Sequence, residues 1–542
     1  MSADAVSPER LLAFLRDARS YRGKSAPIRV LQTHASYLAL AGRHVFKVKK
    51  RVNFGFLDFS TLEKRRHFCE REVLLNRRLC PGIYLGVVPI SMDEERLAFG
   101  LRGEIVEYAV KMRRLPERYF MPRLLRDGKV AARDVEAIIA TLAPFYKAQE
   151  PTPEIAGWGR ISKLRISTDE NFRQLKEFIG TTISRPALDA IRLYTNGFFR
   201  RHAALFAARV RERRIRDCHG DLHLEHIHLS PSRLTIFDCI EFNDRFRYID
   251  VANDAAFLAM DFDFHGRPDF ARRFATRTAR ALADPGMLQL LDFYKCYRAS
   301  VRGKVESLRK FTPGVPAAER RECRARAERY LRLALQYAIR GSEPMVLIVM
   351  GRAGSGKSTL ARSLRRELDW EVFSSDRTRK ELGGVPLHVR GAEPERRRLY
   401  SKAMSDKTYA ALARHAAAQA RQQRSVILDA TFGSRRRRDQ LRKVLARAGV
   451  DYCFFETRAA TATIKHRLEE RERSAGEISD ARLDDLPLLT RTYERPTELE
   501  SQHFLAVKTA RTCEAVVLAT LRALAQRGSR RALRVQAGEP KR

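Results

Sequence analysis

The pattern of hydrophobic and polar positions divides the chain into segments with the repeat of a strand or of a helix. Short strand-like stretches predict β-strands near 28–33, 36–40, 86–90 and 107–112, and the alternation of apolar and polar residues predicts another over 44–50. Between them, the spacing of apolar residues predicts a helix over 63–79. Strands, a helix and further strands predict a small mixed lobe over about 1–115, and a larger lobe over about 116–340 includes the mostly helical segment 257–340.

The second half of the chain begins with a different pattern. Val346–Met350 is an unbroken apolar run that is too short for a typical helix and predicts a buried strand. The nine residues Gly351-Arg-Ala-Gly-Ser-Gly-Lys-Ser-Thr359 follow, with the spacing G-x-x-x-x-G-K-[ST], and an amphipathic segment continues over 360–368. Strand, glycine-rich loop and helix in this order predict a phosphate-binding loop, or P-loop.

Elementary chemistry explains why such a loop binds the phosphates of ATP. Glycines let backbone N–H groups turn toward an anion, and the following helix adds the positive end of its dipole. We expect Lys357 to contact the phosphates as a catalytic residue and Ser358 to be a ligand of Mg²⁺. The expected nucleotide-binding residues are Gly351, Gly354, Ser355, Gly356, Lys357, Ser358 and Thr359. A glycine-rich turn without a ligand would have to match at several positions by chance.

An acidic residue follows the strand predicted at 370–374. Asp376 lies where open α/β sheets place groups that contact a ligand, at the carboxyl end of a strand. We therefore expect Asp376 to bind or deprotonate the hydroxyl group of an acceptor, and it is a candidate catalytic residue. The alternative is that Ser375 or Asp376 only caps the next helix.

A second acidic residue lies in the strand predicted at 425–432. Asp429 fits a carboxylate that holds Mg²⁺ through water, opposite Ser358. Ala430 follows it, so the glutamate that polarises water in many motor-type ATPases is absent, and no guanine-recognition signature N-K-x-D occurs. The sequence therefore favours transfer of phosphate to a substrate over mechanical hydrolysis.

Residues 345–524 resemble the P-loop kinases of the gluconate, polynucleotide and zeta-toxin type. In these kinases, arginines of a mobile lid close over the phosphoryl group in transfer. The resemblance implies that Arg471 is catalytic, with Arg467 one helical turn earlier as a second candidate. The alternative is that both form surface ion pairs with neighbouring glutamates. The run Arg435–Arg438 could bind a substrate phosphate or could simply begin a basic helix.

The chemistry of the first half is concentrated in two neighbouring stretches. They are Asp217-Cys-His-Gly-Asp-Leu-His-Leu-Glu-His-Ile-His-Leu229 and Leu234-Thr-Ile-Phe-Asp-Cys-Ile-Glu-Phe-Asn243. They resemble the catalytic loop H-G-D-x-H-x-x-N and the following metal-binding aspartate of the aminoglycoside phosphotransferase-like kinases, over roughly the first two-thirds of the chain. The resemblance implies that Asp221 is the catalytic aspartate and that Asp238 is a Mg²⁺ ligand. Phosphoryl transfer needs both kinds of carboxylate.

The same resemblance assigns roles to residues outside the loop. Lys47 is the phosphate-binding lysine of the strand and Glu72 its partner on the helix. Lys49 competes for this role because it lies on the same face of the predicted strand. Asp250 and Asp254 fit the acidic D-x-x-x-D-x-A stretch that the family carries after the metal-binding aspartate.

One position departs from the family, because His226 stands where the loop has an asparagine that binds metal. Imidazole prefers softer metals than Mg²⁺, which favours oxygen ligands. With His226 as a candidate metal ligand, the first site is then a weak kinase, a kinase with a different metal, or a lobe that binds nucleotide without turnover. A rival interpretation is a zinc cluster of His219, His223, His226 and His228, but their closeness makes joint tetrahedral ligation awkward. These histidines could also be ordinary loop and strand residues.

Composition narrows the range of partners and compartments. The chain of 542 residues carries 104 Lys and Arg against 65 Asp and Glu, a net charge of +39. Such charge would suit nucleic acid, but no nucleic-acid module occurs, and we favour arginines on solvated helix faces. No apolar run approaches the ~20 residues of a membrane span, and the start lacks a signal pattern, so we expect a cytoplasmic protein with no membrane partner. The eight cysteines are scattered without a C-x-x-C pair.

These patterns predict an α/β multidomain protein. We expect a protein-kinase-like bilobal α+β domain over 1–340, a three-layer α/β/α P-loop domain over 345–524 and a basic, disordered tail over 525–542. The predicted function is an ATP-dependent phosphotransferase (kinase) with two nucleotide sites, using ATP and Mg²⁺ to phosphorylate hydroxyl groups of small-molecule or phosphorylated acceptors. One alternative is that one half is a non-catalytic nucleotide sensor that regulates the other. A second is a basic kinase of nucleic-acid ends.

Overall fold

The computed structural model describes residues 6–21, 27–101, 103–309, 316–388, 393–473 and 483–531. They form two compact units, each built from two segments of the chain. Unit 1 lies within Met1–Asn171 and His202–Arg326, and unit 2 lies within Phe172–Arg201 and Ala327–Arg542. None of the helices in the described ranges is both long enough and apolar enough to cross a membrane. The fold confirms the prediction of an α/β multidomain protein.

The strands are β1 Arg29–Gln32, β2 Ser36–Ala41, β3 His44–Lys49, β4 Tyr84–Asp93, β5 Arg96–Phe99, β6 Glu104–Arg113, β7 Ile215–Asp217, β8 Ile227–Ser230, β9 Arg233–Ile236, β10 Tyr248–Asp250, β11 Met345–Met350, β12 Glu371–Ser374, β13 Val426–Asp429, β14 Asp451–Arg458 and β15 Phe504–Lys508.

The helices are α1 Pro8–Arg16, α2 Leu62–Arg77, α3 Met121–Arg126, α4 Ala132–Ala148, α5 Pro153–Gly157, α6 Ile161–Leu175, α7 Arg185–Arg201, α8 Ala203–Arg211, α9 Val251–Phe264, α10 Pro268–Ala281, α11 Met287–Arg309, α12 Ala317–Arg340, α13 Lys357–Leu368, α14 Ser375–Gly383, α15 Glu393–Leu399, α16 Lys402–Arg421, α17 Arg435–Arg447, α18 Thr461–Arg473, α19 Leu486–Arg491 and α20 Cys513–Arg531.

The small lobe of unit 1 is an antiparallel sheet with strand order β1-β2-β3-β6-β4-β5. Residues alternate between its two faces, so Phe46 and Val48 of β3 pack in the core with α1, and Val45 packs on the other side with α2. Lys47 and Lys49 share the face of Val45. The alternation in the sequence therefore directs both lysines toward α2.

The larger lobe of unit 1 is organised around α9. Thirteen of its fourteen residues are buried, which is typical of a central helix surrounded by protein. Helices α10 and α11 pack against α9. The same lobe contains two short antiparallel strand pairs, β7–β10 and β8–β9. The mostly helical segment predicted over 257–340 corresponds to α9 and the helices that follow it.

Unit 2 contains a parallel sheet with strand order β12-β13-β11-β14-β15. All six residues of β11 are buried, because both neighbouring strands and both faces of the sheet cover it. Register places Asp429 of β13 beside Val349 of β11 and Ser374 of β12. The carboxyl ends of these three strands therefore meet at one edge.

Two features of unit 2 differ from the expected domain boundaries. Helix α7, expected in the first domain, packs against α20, and Arg201 donates a hydrogen bond to Ser529 Oγ at 2.5 Å. Helix α20 continues to Arg531 with Leu524 and Ala525 fully buried, so 525–531 are helical and not part of a disordered tail. The rest of the expected tail, 532–542, lies outside the described residues.

Candidate active sites

The P-loop connects β11 to α13 through backbone that only glycine adopts readily. Gly356, which precedes α13, has φ +92°, and Gly351 has φ +139°. A Cβ atom at Gly351 would lie 2.7 Å from the carbonyl oxygen of Thr457. The buried Ser355 hydroxyl donates to Arg352 O at 2.7 Å and lies 2.7 Å from Thr457 Oγ1. The end of β14 therefore holds the loop in place.

Lys357 begins α13 and is surrounded by other predicted site residues. Its Nζ donates to Arg352 O at 2.9 Å. Burial lowers its pKa, the carboxylates of Asp429 and Asp376 oppose this change, and the charge of Arg471 adds to it. The structure thus brings Lys357, Asp429, Asp376 and Arg471 into one electrostatic neighbourhood.

Ser358, in the first turn of α13, influences the ionisation of Asp429 at the end of β13. Burial raises the pKa of the Asp429 carboxyl group above its usual value, and the charge of Lys357 and the hydroxyl of Ser358 oppose this change. The donors are a hydroxyl and a carboxylate, which are the hard oxygen ligands that Mg²⁺ prefers. These two residues therefore fit a Mg²⁺ site, while Thr359 beside them is exposed in the first turn of α13.

Asp376 lies in the first turn of α14, one strand away from Asp429 in the sheet. Ser374 is the N-cap residue of α14, so neither Ser375 nor Asp376 occupies the capping position. Arg379 lies 3.1 Å from Asp376 Oδ1, and its guanidinium stacks on Tyr400 at 4.4 Å from the ring centroid. Asp376 is therefore oriented by an arginine at the edge where the three strands meet.

The two arginines of α18 have different surroundings. Arg467 donates to Thr509 O at 2.7 Å and to Thr509 Oγ1 at 3.2 Å, and Thr509 Oγ1 in turn donates to Ser355 O at 2.7 Å. Arg467 is thereby linked to the P-loop through Thr509, a residue that no motif in the sequence indicates. The positive charge of Arg471 contributes to the lowered pKa of Lys357.

The basic run at the start of α17 is partly structural. Arg438 is fully buried and forms two hydrogen bonds with the Glu498 carboxylate, with a further donation to Phe432 O at 2.8 Å. The run forms the first turn of α17, as one of the two interpretations of the sequence expects. Arg438 is therefore occupied in holding the fold.

In unit 1, both lysines of β3 contact the glutamate of α2. Lys47 Nζ lies 2.8 Å from Glu72 Oε1, and Lys49 Nζ lies 2.7 Å from Glu72 Oε2. Lys47 also lies 2.9 Å from Asp238 Oδ1, whereas Lys49 forms a short contact with Glu241. Of the two lysines, only Lys47 reaches the predicted metal ligand. Glu241 has no place in the motif, so the sequence does not indicate it as a site residue.

The loop that carries Asp221 is held by buried side chains. Asp254 accepts hydrogen bonds from the backbone N–H groups of His219 and Gly220 at 3.0 and 2.9 Å. Arg298 donates to Gly220 O at 3.0 Å. Gly220 has φ +85°, and a Cβ there would lie 2.8 Å from a backbone oxygen. Asp254 therefore shapes the loop, and Asp250 pairs with the buried Arg209 at 2.6 Å.

The four loop histidines do not form one cluster. His219 Nε2 donates to Phe237 O at 2.9 Å, and His228 Nε2 donates to Pro116 O at 3.2 Å. These two are held by backbone, so the interpretation as a four-histidine zinc site is wrong. His223 Nε2 lies 3.4 Å from Asp221 Oδ2, and His226 Nε2 lies 3.3 Å from Asp238 Oδ2.

Charges around the loop shift the pKa values of its carboxylates. Burial works against ionisation of Asp221, but His223 and His226 outweigh it and hold the pKa of Asp221 well below its usual range. Burial likewise opposes ionisation of Asp238, and the charge of Lys47 outweighs it, so its pKa is also low. Burial lowers the pKa of His226 to about 4. Both carboxylates are therefore ionised, and the imidazole is neutral, near neutral pH.

This donor set does not match the preference of Mg²⁺. Asp238 offers a carboxylate, but its neighbour at the metal-binding position of the loop is an imidazole nitrogen, where Mg²⁺ takes oxygen ligands. The first site thus differs from the P-loop site, whose side-chain donors are all oxygen.

Two family models match two parts of the chain that carry residues of these sites. The family model described as "Phosphotransferase enzyme family" matches residues 103–291, and the model described as "AAA domain" matches residues 346–496. A gluconokinase from Sinorhizobium meliloti 1021 is 19% identical with TM-score 0.27, covering 36% of this chain and 98% of its own. The APS kinase CysC of Mycobacterium tuberculosis is 18% identical with TM-score 0.24, covering 34% and 98%.

Relatives of similar length exist in mycobacteria. Uncharacterized proteins of Mycobacterium tuberculosis strain H37Rv and of Mycobacterium bovis are each 33% identical over 454 residues, covering 84% of this chain and 88% of theirs. The chain belongs to the same family as these mycobacterial proteins, and it combines a phosphotransferase-family domain with a P-loop domain of the kinase type.

Proposed function

We propose that the protein is an ATP-dependent phosphotransferase whose P-loop domain transfers the γ-phosphoryl group of ATP to a hydroxyl group of a small-molecule or phosphorylated acceptor. The observation that carries the proposal is the convergence of Lys357, Ser358, Asp429 and Asp376 where three parallel strands end. Open α/β sheets bind their ligands at this edge. A nucleotide phosphate cradle and a candidate base for an acceptor lie there together.

Each residue has a chemical task in this proposal. The backbone N–H groups of the P-loop and Lys357 bind the β- and γ-phosphates. Ser358 and Asp429 would hold Mg²⁺, which neutralises charge on the phosphates when bound. Asp376 orients the acceptor hydroxyl and accepts its proton, and Arg471 stabilises charge on the phosphoryl group in transfer.

For the first domain we propose a second nucleotide site with its own transfer reaction. Lys47, held by Glu72, positions the phosphates, and Asp221 orients the acceptor hydroxyl. The alternative, in which this domain senses nucleotide and regulates the other, is favoured by one observation. Glu72, Asp238 and Glu241 already neutralise both lysines, so phosphates would have to compete with them.

We also propose a cytoplasmic location. All eight cysteines lie in the described residues as thiols without a disulfide, and seven of them are buried. Thiols of this kind persist in the reducing compartments where ATP is abundant.

The proposal is tested on the full-length protein with two separate variants. ATP binding by calorimetry and ADP release with a broad pool of hydroxyl acceptors are measured for Lys357→Ala and for Asp221→Asn. We expect Lys357→Ala to lose one equivalent of bound ATP and roughly 100-fold or more of the P-loop activity. Asp221→Asn should abolish only the turnover of the first domain, which does not depend on Lys357.

The matched controls are Lys443→Ala on the exposed face of α17 and Asp127→Asn at an exposed turn, both of which should behave as wild type. If neither test variant changes ATP binding or ADP release, the proposed function is wrong. If Lys357→Ala removes all turnover while Asp221→Asn removes none, the first domain is the sensor of the alternative.

A further inference from the structure

His226 connects the catalytic loop to Asp238 through both nitrogens of its ring. Nδ1 lies 2.9 Å from the backbone carbonyl oxygen of Asp221, and Nε2 lies 3.3 Å from Asp238 Oδ2. Lys47 contacts the other oxygen of Asp238 at 2.9 Å. The ring is therefore held between a backbone oxygen and one carboxylate oxygen.

The backbone contact fixes which nitrogen carries hydrogen in a neutral ring. A carbonyl oxygen can only accept, so the hydrogen of the imidazole lies on Nδ1. Nε2 faces Asp238 Oδ2 at 3.3 Å, so a nitrogen and a carboxylate oxygen that can both bind a metal ion lie beside each other.

The distance between these two atoms suits a bridging metal ion. Metal–nitrogen and metal–oxygen bonds of about 2.1 Å to atoms this far apart enclose an angle of roughly 100° at the ion, close to tetrahedral and octahedral values. The backbone carbonyl at Nδ1 supplies the outer hydrogen bond that a metal-binding histidine usually makes.

Further donors surround this pair, but they are not equivalent. Asp221, His223 and His226 can each offer one ligand atom within 4.8 Å of the others. Arg302 Nη1 lies 3.4 Å from His223 Nε2, so a metal ion at His223 would meet a like charge. His226 Nε2, turned toward Asp238, is the better nitrogen ligand.

We propose that the first site binds a divalent transition-metal ion, of the Mn²⁺, Co²⁺ or Zn²⁺ class, between His226 Nε2 and Asp238 Oδ2, in preference to Mg²⁺. Imidazole binds such ions well and Mg²⁺ poorly. The proposal deepens the proposed function of the first domain, since the ion occupies the place beside the phosphate-positioning Lys47. In this proposal, His226 determines which metal ion the first site prefers.

The experiment uses Co²⁺ and full-length protein that carries Ser358→Ala, which removes the P-loop metal ligand. Visible absorption and equilibrium dialysis follow Co²⁺ without nucleotide and with a non-hydrolysable ATP analogue, and both are repeated in hundredfold excess of Mg²⁺. We expect one Co²⁺ per chain that Mg²⁺ does not displace. His226→Asn should raise the dissociation constant for Co²⁺ at least tenfold and allow Mg²⁺ to compete.

The controls separate this site from other histidines. His466→Asn, at a side chain that is 71% exposed on α18, should change nothing, and His223→Asn should retain the absorption band. Co²⁺ uptake that is absent below millimolar concentration, is unchanged by His226→Asn, or is lost only with His223→Asn would overturn the assignment. ADP release that depends on Lys357 is a separate measurement, so failure here does not bear on the P-loop reaction.

Discussion

The lysines of the two candidate sites have pKa values that are shifted in opposite directions. Lys357 of the P-loop is surrounded by protein and donates to a backbone oxygen, and burial lowers its pKa despite nearby acids. Lys47 and Lys49 of the first site are also removed from water, and burial alone would lower their pKa values. Direct ion pairs with Glu72, Asp238 and Glu241 outweigh burial and raise both pKa values.

This difference bears on what each site requires of its ligand. Among the described residues, no carboxylate forms an ion pair with Lys357, so the phosphates of a nucleotide would stabilise its charge directly. In the first site, the protein has already neutralised the cations, and a nucleotide would have to replace carboxylate contacts. A buried lysine beside a motif can therefore serve a ligand, the fold, or both, and its partners decide which.

The largest expected effect tests the structural side of this contrast. Lys49→Met would leave the carboxylates of Glu72 and Glu241 buried with one cation fewer, which typically costs about 3–5 kcal/mol. Each unit contains one of the two tryptophans, Trp158 in unit 1 and Trp370 in unit 2. Urea unfolding of unit 1 is therefore followed by fluorescence in a Trp370→Phe background, where we expect this loss.

The matched variant is Lys357→Met, followed through Trp370 in a Trp158→Phe background. Burial disfavours the charge of this lysine, and no direct ion pair compensates for it within the part of the chain that the structure describes. Its removal should therefore leave the free energy of unfolding of unit 2 unchanged or slightly higher. Equal losses from the two substitutions would show that the contrast between the lysines does not exist.

The sequence predicts those parts of the sites that are contiguous in the chain. Strand β11, the P-loop and α13 follow one another within 345–368, so spacing alone locates Lys357 and Ser358. The catalytic loop with Asp221 is equally compact. In such segments, local backbone geometry determines the arrangement of the side chains, and the sequence carries that geometry directly.

Contacts between distant segments escape this reasoning. Thr509, which joins Arg467 to the P-loop, directly follows β15, a strand that the pattern of hydrophobic positions did not predict. Glu241 meets Lys49 across 192 positions of sequence. The association of α7 with α20 likewise depends on packing between segments more than 300 residues apart. No periodicity within a segment encodes such pairings.

The prediction with an intermediate expected effect concerns Arg471. It tests whether this arginine stabilises the charge on the phosphoryl group in the transition state of the P-loop site. Arg471 influences Lys357, whereas Arg467 is bonded to Thr509 beside the loop. We expect Arg471→Ala to lower kcat for ATP turnover about tenfold with little change in KM, because its interaction strengthens in the transition state. Arg467→Ala should chiefly raise KM for ATP.

Initial rates are measured in an Asp221→Asn background, which removes the contribution of the first site. Arg473→Ala, at the exposed end of α18, is the control and should match the parent protein. A change in KM alone for Arg471→Ala would show that this arginine acts in binding of the ground state. It would then not support the contrast between Lys357, whose charge a ligand stabilises, and the lysines of the first site, whose charges the protein already neutralises.

The smallest expected effect asks whether a lowered lysine pKa marks a ligand site by itself. Lys304 of α11 donates to Asn171 Oδ1 at 2.7 Å, and burial lowers its pKa to about 8, with Glu170 opposing and Arg245 adding to the change. An unfolded lysine titrates near 10.5, so the unfolded chain binds more protons between pH 8 and 10.5. The cost of the buried charge is thus fully present below pH 8 and declines as pH rises through this window.

Lys304→Met should therefore raise the free energy of unfolding of unit 1 by about 1 kcal/mol at pH 7, since the lost hydrogen bond to Asn171 offsets part of the gain. The gain over the parent protein should fall steadily from pH 8 to pH 10 and then reverse in sign, in urea unfolding followed through Trp158, because deprotonation removes the cost of the buried charge from the parent. ATP binding should not change, because Lys304 contacts Asn171 and is not one of the proposed phosphate-binding residues. A difference independent of pH would mean that Lys304 carries an ordinary pKa, and Lys357 would then be the better example of a desolvated lysine kept for a ligand.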